Sequence, residues 1–373
     1  MTDNNDVLIV GGGIVGLSTA YWLVKAGHDV TVVEQGSIPN PIASSTDHHR
    51  LIRYPYGKSL GYCARVADAF AAWRDMWADL PAATGHYYNE TGILCISQHE
   101  GDYTDISMRE MDRVGIPYER IAGADIADRF PFLKPSNFDY ATLSEGGALM
   151  ARHILTDLAD WLRRAGAQIL EHTPVTAIDT AKATVTLDDG RILSADRVVV
   201  AAGIATQRLL PEMALPLTPH RTVIMYADPP EDLAHLYQGI PCWNALGGGT
   251  DMYGMPAMDG LPMKLGNGGM GRRDPEAANR QMSPEELQRM LTDYALRFRG
   301  AERFRIRWHQ ANYWTAAPEA EFQLLQEGRV MAVSACSGHG FKFGALSGRD
   351  VAEAVTAARP LAEVQARMAA RAG

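Results

Sequence analysis

Asp6-Val-Leu-Ile-Val10, Gly11-Gly-Gly13-Ile-Val-Gly16, Leu17 to Gly27 and Asp29-Val-Thr-Val-Val-Glu34 run together as one stretch near the start of the chain. An apolar run of strand type ends in a glycine turn. A segment of helical period follows, and a second β-branched run ends in an acid. This order of strand, turn, helix, strand and acid is the βαβ dinucleotide fingerprint. Gly11 permits the tight turn, Gly13 lets backbone approach a pyrophosphate, and Gly16 lets the helix pack closely on the strand. Ile14 and Val15 open the helix, whose N-terminus offers unpaired N–H groups and partial positive charge to phosphates. Glu34 stands where a carboxylate can hold ribose hydroxyls, and its charge disfavours a 2′-phosphate. The motif alone does not separate NAD from FAD.

The remaining composition narrows the class. At 373 residues the chain has room for two domains with substantial cores. A formal net charge of −9 argues against nucleic acid as a partner, because phosphate binding needs a basic face. Cys63, Cys95, Cys242 and Cys336 are far apart and form no CxxC pair, so neither a metal site nor a disulfide framework is expected. That usage fits a reducing cytoplasm. The fingerprint starts too close to Met1 to leave room for a signal peptide, and no apolar run approaches the ~20 residues that span a membrane.

Beyond Glu34, a Pro- and Ser/Thr-containing loop spans Gln35 to Asp47. His48-His-Arg50-Leu-Ile-Arg53-Tyr-Pro-Tyr56-Gly57 follows, with two arginines among apolar and aromatic neighbours. Charges so placed need partners, and a pyrophosphate or a substrate carboxylate would serve. Tyr62 to Leu80 has helical period, with Val66, Phe70, Trp73 and Trp77 on a core face. Strand-like segments from Tyr87 to Ser97 open a second unit. Ala151 to Ala165 is an amphipathic helix, and strands at Thr176–Asp179, Thr184–Leu187 and Ile192 precede the buried run Arg197-Val-Val-Val-Ala201, which ends in Ala202-Gly203. A strand that stops at small residues admits a ligand to its backbone. A glycine-dense region from Gly239 to Gly271 reads as a long loop, functional or merely mobile. Ser283-Pro-Glu-Glu286 is a capping box with proline at the first helical position. Arg299, Arg303, Arg305 and Arg307 read as solvated faces. Finally Val330 to Ser334 runs into Gly338-His-Gly340-Phe-Lys342 and a helix of small residues. Two strand–glycine–helix sites in one chain suggest one long ligand touched at both ends, as FAD would be.

The combination resembles the D-amino-acid-oxidase superfamily of flavoproteins, in particular its branch of monomeric sarcosine, N-methyltryptophan and pipecolate oxidases. The pieces that carry the resemblance are Gly11-x-Gly13-x-x-Gly16 with Glu34, Arg50-Leu-Ile-Arg53-Tyr-Pro-Tyr56, Val199-Val-Ala-Ala-Gly203, Tyr253-Gly-x-Pro256, Lys264-Leu-Gly266 and Ser337-Gly-His-Gly-Phe-Lys-Phe343. They cover nearly the whole chain in order. The resemblance implies an α/β fold: a Rossmann-like FAD-binding domain of glutathione-reductase type (1–85, 146–216 and 320–373) with an inserted substrate domain on a large mixed sheet (86–145 and 217–319). It implies oxidation of an amino acid or secondary amine at a C–N bond, with hydride moving to flavin N5, release of an imine, and dioxygen reduced to hydrogen peroxide.

The resemblance also assigns candidate residues. Arg53 and Lys342 clamp the substrate carboxylate, one as a bidentate fork and the other as a point charge. Lys264 activates oxygen, Arg50 lies beside the flavin, and Tyr253 and Trp314 border the substrate. FAD contacts are expected from Gly11, Gly13, Ile14, Val15, Gly16, Glu34, Gln35, Ser45, Thr46, Arg50, Val175, Ala202, Gly203, Gly338, His339, Gly340, Phe341 and Lys342. His339 receives no catalytic role. A monomer is the family habit. No metal, nucleic acid or membrane partner is expected.

The chain also departs from the family pattern. The flavin-linking cysteine falls at Asn312, which predicts dissociable FAD, Cys336 being the other thiol considered for a link. The active-site histidines fall at Thr46 and Gly268 and the tyrosine at Trp314, which predicts a substrate bulkier than sarcosine. Two alternatives stay open at this point: a flavin dehydrogenase or hydroxy-acid oxidoreductase on the same scaffold, and a flavin-binding protein without amine oxidase activity.

Overall fold

The computed structural model describes residues 5–57, 59–247, 251–274 and 279–371. Its first sheet has eight strands. Asn5–Val10 lies at the centre, parallel to Val30–Val33 on one side and to Ile192–Val200 on the other. Gln168–Leu170 extends the sheet beyond Val30–Val33. Val330–Ser334 joins Ile192–Val200 in parallel, and Gln323–Glu327 pairs beyond it. The β-branched runs are buried on both faces, as parallel strands under helices must be.

Ile192 and Arg197–Ala201, read separately from sequence, belong to one continuous strand, Ile192–Val200. Its first residues pair antiparallel with Thr184–Leu187 and are largely exposed, while its last residues pair with Asn5–Val10 and are buried. The change of partner along one strand explains why its pattern changed in mid-run.

Helix Ile14–Lys25 covers this sheet and is itself crossed by helix Gly344–Val355. The crossing is close because Gly344 and Gly348 face Ile14 and Ser18; a Cβ at either glycine would collide there. Helix Leu60–Asp79 buries Val66, Phe70 and Trp73 in the same core, with Trp77 partly buried beside them.

The second sheet has nine strands, drawn from residues 93–144 and 218–316. Thr218–Asp228 and Arg305–Ala316 form its longest pair. A small third sheet pairs Arg50–Arg53 and Tyr88–Glu90 with Gly146–Leu149. The molecule is thus a mixed α/β fold with one largely parallel, helix-covered sheet and one large mixed sheet.

The stretch from Gly239 to Gly271, expected as a loop, holds three strands of the second sheet. Cys242–Leu246, Met252–Met255 and Met263–Asn267 are adjacent buried strands. Residues 248–250 lie outside the described residues. The glycines misled because two of them are packing positions. A Cβ at Gly254 would strike the Trp243 ring, and one at Gly266 would strike the Tyr253 ring. Elsewhere local chemistry acts as read. Ser283 and Glu286 form the reciprocal capping box of helix Pro284–Ala295. Arg303, Arg305 and Arg307 sit on exposed faces, pairing with Asp232 and Asp228. Among the described residues all four cysteines are free, no cluster of three or more His, Cys, Asp or Glu could hold a metal, and no helix is long and apolar enough to cross a membrane.

Candidate active site

Two cavities open along the carboxyl ends of the first sheet's strands, and Ser44 lines both. The smaller, of about 130 Å³, is bordered by Gly11, Gly13, Glu34, Gln35, Ser45, Val175, Ala202 and Gly203. Gly11 holds φ +112°, and a Cβ there would overlap the Ala201 backbone. Gly16 lies directly over the Gly11 carbonyl oxygen, leaving no room for a side chain. Gly13 precedes helix Ile14–Lys25 and has no side chain to cap it, so the first-turn N–H groups turn to partners from outside the helix. Ser45 Oγ accepts from Ile14 N–H at 3.0 Å.

Glu34 is buried at the tip of the second strand. Its carboxylate accepts from Gly12 N–H (2.7 Å), Gly36 N–H (3.0 Å) and Asn40 Nδ2 (2.8 Å). Three donors fix the carboxylate at the cavity edge. Asn40, which sequence reasoning missed, is one of them. The glycine turn, the helix end beside it and the anchored acid fit the ADP half of FAD.

The larger cavity, of about 490 Å³, lies between the two large sheets. Arg50, Arg53, Tyr253, Lys264, Trp314 and the run Gly338 to Lys342 line it together. Five segments far apart in sequence therefore converge on it. Of the expected FAD contacts, Ile14, Val15, Gly16 and Thr46 line neither cavity. The first three form the packed first turn of helix Ile14–Lys25. Thr46 is buried, and its hydroxyl has no hydrogen-bond partner among the described residues.

Arg53 and Lys342 occupy one end. Arg53 donates to the Pro55 carbonyl and, at 2.8 Å, to the Tyr103 hydroxyl. Lys342 is buried, and its one hydrogen bond among the described residues goes to the His339 carbonyl, at 3.3 Å. The Tyr56 ring lies under both cations, 4.8 Å from Arg53 and 5.2 Å from Lys342. Among the described residues neither cation pairs with a carboxylate. Burial, and then the charge of Arg53, push the Lys342 ammonium well below the usual lysine range.

His339 is held as a turn residue. Its ring stacks on Phe322 at 4.8 Å, Nε2 meets the Ala320 carbonyl at 3.0 Å, and Nδ1 meets the Tyr56 hydroxyl at 3.3 Å. Nε2 therefore carries the proton and Tyr56 donates to Nδ1. Burial and neighbouring Lys342 push its pKa down to about 3, which keeps it neutral.

Lys264 forms a different wall. Its ammonium pairs with Asp47 and donates to the His49 carbonyl at 3.1 Å. Arg50 pairs with the same Asp47 oxygen and donates to the Ser44 carbonyl at 2.7 Å. Tyr226 donates to the other Asp47 oxygen at 2.6 Å. Burial first pushes Lys264 down, Asp47 pulls it back up, and the balance is about 8. Burial also acts to raise Asp47, but Lys264 and Arg50 together outweigh it and hold the carboxyl well below the usual range. Sequence reasoning read Asp47 as the end of a loop and missed this role, and Tyr226 with it.

Aromatic groups complete the cavity. The Trp314 ring lies 4.8 Å from that of His220, tilted by 33°, and packs 3.6 Å from where a Cβ on Gly338 would stand. Burial raises the pKa of Tyr253, so its phenol stays neutral. Asn312 and Cys336 both border the cavity.

Residues 6–354 match the profile of the FAD dependent oxidoreductase (DAO) family, and the chain belongs to it. It is an FAD-dependent oxidoreductase. It is 25% identical over 371 residues to a monomeric sarcosine oxidase of Bacillus sp. (strain NS-129), covering 95% of this chain and 94% of that one. It is 28% identical over 364 residues to an N-methyl-L-tryptophan oxidase of Yersinia pestis (strain Pestoides F), covering 92% of each. Two solved structures share the fold. The L-proline dehydrogenase from P. horikoshii has a TM-score of 0.84 at 18% identity, covering 100% of this chain and 98% of that one. NikD, an amino acid oxidase of nikkomycin biosynthesis, has a TM-score of 0.80 at 22% identity, covering 96% of each.

Proposed function

We propose that this chain oxidises the C–N bond of an amino acid bulkier than sarcosine, with dioxygen as the acceptor. The observation that carries this reading is the pair of cations, Arg53 and Lys342, enclosed at one cavity end without an acidic partner. Two like charges there are costly unless an anion joins them. A substrate carboxylate meets that need, taking the Arg53 fork side-on and the Lys342 ammonium as a point charge. Bound so, the Cα–N bond is fixed against the remaining walls, and positioning of this kind is worth several kcal/mol of barrier. Trp314 and Tyr253 give the rest of the cavity an aromatic lining suited to a large side chain or ring. Residues 1–85, 146–216 and 320–373 would hold FAD, and 86–145 and 217–319 would cover the substrate.

FAD, when bound, accepts a hydride from the substrate carbon, leaving an imine, and passes two electrons to dioxygen to give hydrogen peroxide. The residues bordering the smaller cavity would hold its ADP half; Arg50, Lys264 and the Gly338–Lys342 run would surround its reactive end. With Asn312 in place of a thiol, the flavin is held without a covalent bond. Acid precipitation of the holoenzyme should leave the yellow colour in the supernatant.

Anaerobic titration of the holoenzyme tests the reading directly. N-alkyl, cyclic imino and large aromatic amino acids should bleach the oxidised-flavin bands, and at least one should act at lower concentration than sarcosine. Air should restore the colour. Bleaching by hydroxy acids but by no amine would overturn the proposal.

A proton balance follows from the Lys342 environment. Before binding, burial and Arg53 depress its pKa; a bound carboxylate raises it. Between the free and bound values the complex holds the additional proton. A carboxylate without an amine should therefore bind with proton uptake, and its affinity should fall as pH rises through that window. A zwitterionic amino acid brings its own ammonium proton, which Lys342 can receive, and should show less net uptake. Binding to an indicator-buffered enzyme measures both. Equal uptake for the two ligands would contradict the assignment.

A further inference from the structure

We propose that Asp47 is a positioning residue for the oxygen reaction: it keeps the Lys264 side chain charged and fixes where its ammonium stands in the cavity wall. The inference rests on the oxidase reading above, in which a cation at this wall assists dioxygen. Lys264 is buried, with its side chain 2% exposed, and the Asp47 side chain is 1% exposed. A lysine enclosed to that degree loses its proton readily unless an anion holds it. Asp47 is that anion. It is not mobile: Oδ1 receives the Tyr226 hydroxyl at 2.6 Å and the His48 N–H at 2.8 Å, while Oδ2 receives both Lys264 and Arg50. Four donors from three segments hold one carboxylate.

The other groups around Lys264 do not replace it. Arg50, on strand Arg50–Arg53 of the third sheet, repels the ammonium. Tyr226 is the register partner of Lys264 on the neighbouring strand, and its phenol is already committed to Asp47. Cys242 and Tyr253 are neutral, since burial raises both. His48 and His49 are kept neutral by burial, and His49 offers Lys264 only its backbone carbonyl. Removing the Asp47 charge leaves Lys264 beside Arg50 with no counter-ion.

The test uses holoenzyme grown with 13C-labelled lysine, K264M identifying the Lys264 resonance. In the wild type this resonance should titrate with a midpoint near pH 8. In D47N the midpoint should fall by one pH unit or more, a tenfold or greater loss of proton affinity. In Y226F, which leaves the charges in place and removes only a donor from Asp47, the midpoint should rise. In parallel, dithionite-reduced enzyme is mixed with oxygenated buffer from pH 6 to 10. The rate of return of the oxidised-flavin bands should follow the same midpoints, and D47N should be about threefold slow or more at pH 7.5. Midpoints that stay put in D47N and Y226F overturn the proposal. Where D47N retains no flavin, Y226F decides alone: an upward shift supports the role of Asp47, and an unmoved or lowered midpoint refutes it. The oxygen role of Lys264 stands apart, because it fails if K264M reoxidises as fast as the wild type, whatever Asp47 does.

Discussion

Replacing Arg53 with methionine is expected to lower kcat/KM by about 10³-fold, or about 4 kcal/mol, the usual cost of truncating one partner of a buried, hydrogen-bonded charge pair. Lysine at this position keeps a charge but loses the planar fork, so R53K should fall between wild type and R53M. The methionine variant should not lose stability. In the substrate-free protein Arg53 lies beside Lys342 with no carboxylate among the described residues, so its removal relieves the repulsion on Lys342 and offsets the loss of its bonds to Pro55 and Tyr103. A midpoint of thermal unfolding equal to or above the wild-type value, together with the activity loss, is the expected pattern. It distinguishes a ligand-binding charge from a structural one. A kcat/KM within tenfold of wild type for R53M would remove the carboxylate clamp from the proposed function.

Gly16→Ala is expected to abolish retention of FAD, with affinity down by 100-fold or more. The added methyl would overlap the Gly11 carbonyl oxygen, and the nearest relief is a shift of the whole turn. Overpacking of this kind typically costs about 1–3 kcal/mol. The larger consequence is geometric, since Gly11, Gly13 and the first turn of helix Ile14–Lys25 would all move relative to Glu34. Flavin fluorescence after gel filtration measures the loss, and far-ultraviolet circular dichroism checks that the sheet survives. Full flavin content in the variant would show that this turn does not carry the pyrophosphate.

The parts of the molecule that were legible in sequence are those whose partners are near in sequence or whose geometry forces a residue type. The Asp6–Glu34 unit is contiguous, and its glycines answer to collisions that only glycine avoids. The Ser283–Glu286 box is complete within four residues. The glycine-dense region failed for the opposite reason. Gly254 and Gly266 are glycines because Trp243 and Tyr253 lie across neighbouring strands, and a local pattern cannot tell such a position from a turn. Asp47 was invisible on the same ground. Its partner Lys264 is 217 residues away, and a lone acid at the end of a Ser/Thr loop has no distinctive signature. Arg53 and Lys342 were marked as site residues by resemblance, whereas their shared enclosure and missing counter-ion became apparent only in three dimensions.

The order of the strands also sets when the site can exist. Val330–Ser334 pairs with Ile192–Val200, Lys342 follows it, and helix Gly344–Val355 closes on helix Ile14–Lys25 through Gly344 and Gly348. On a translating ribosome the covering helix and Lys342 emerge more than 300 residues after the glycine turn. A chain halted before Val330 therefore carries the fingerprint without the strand and helix that pack against it.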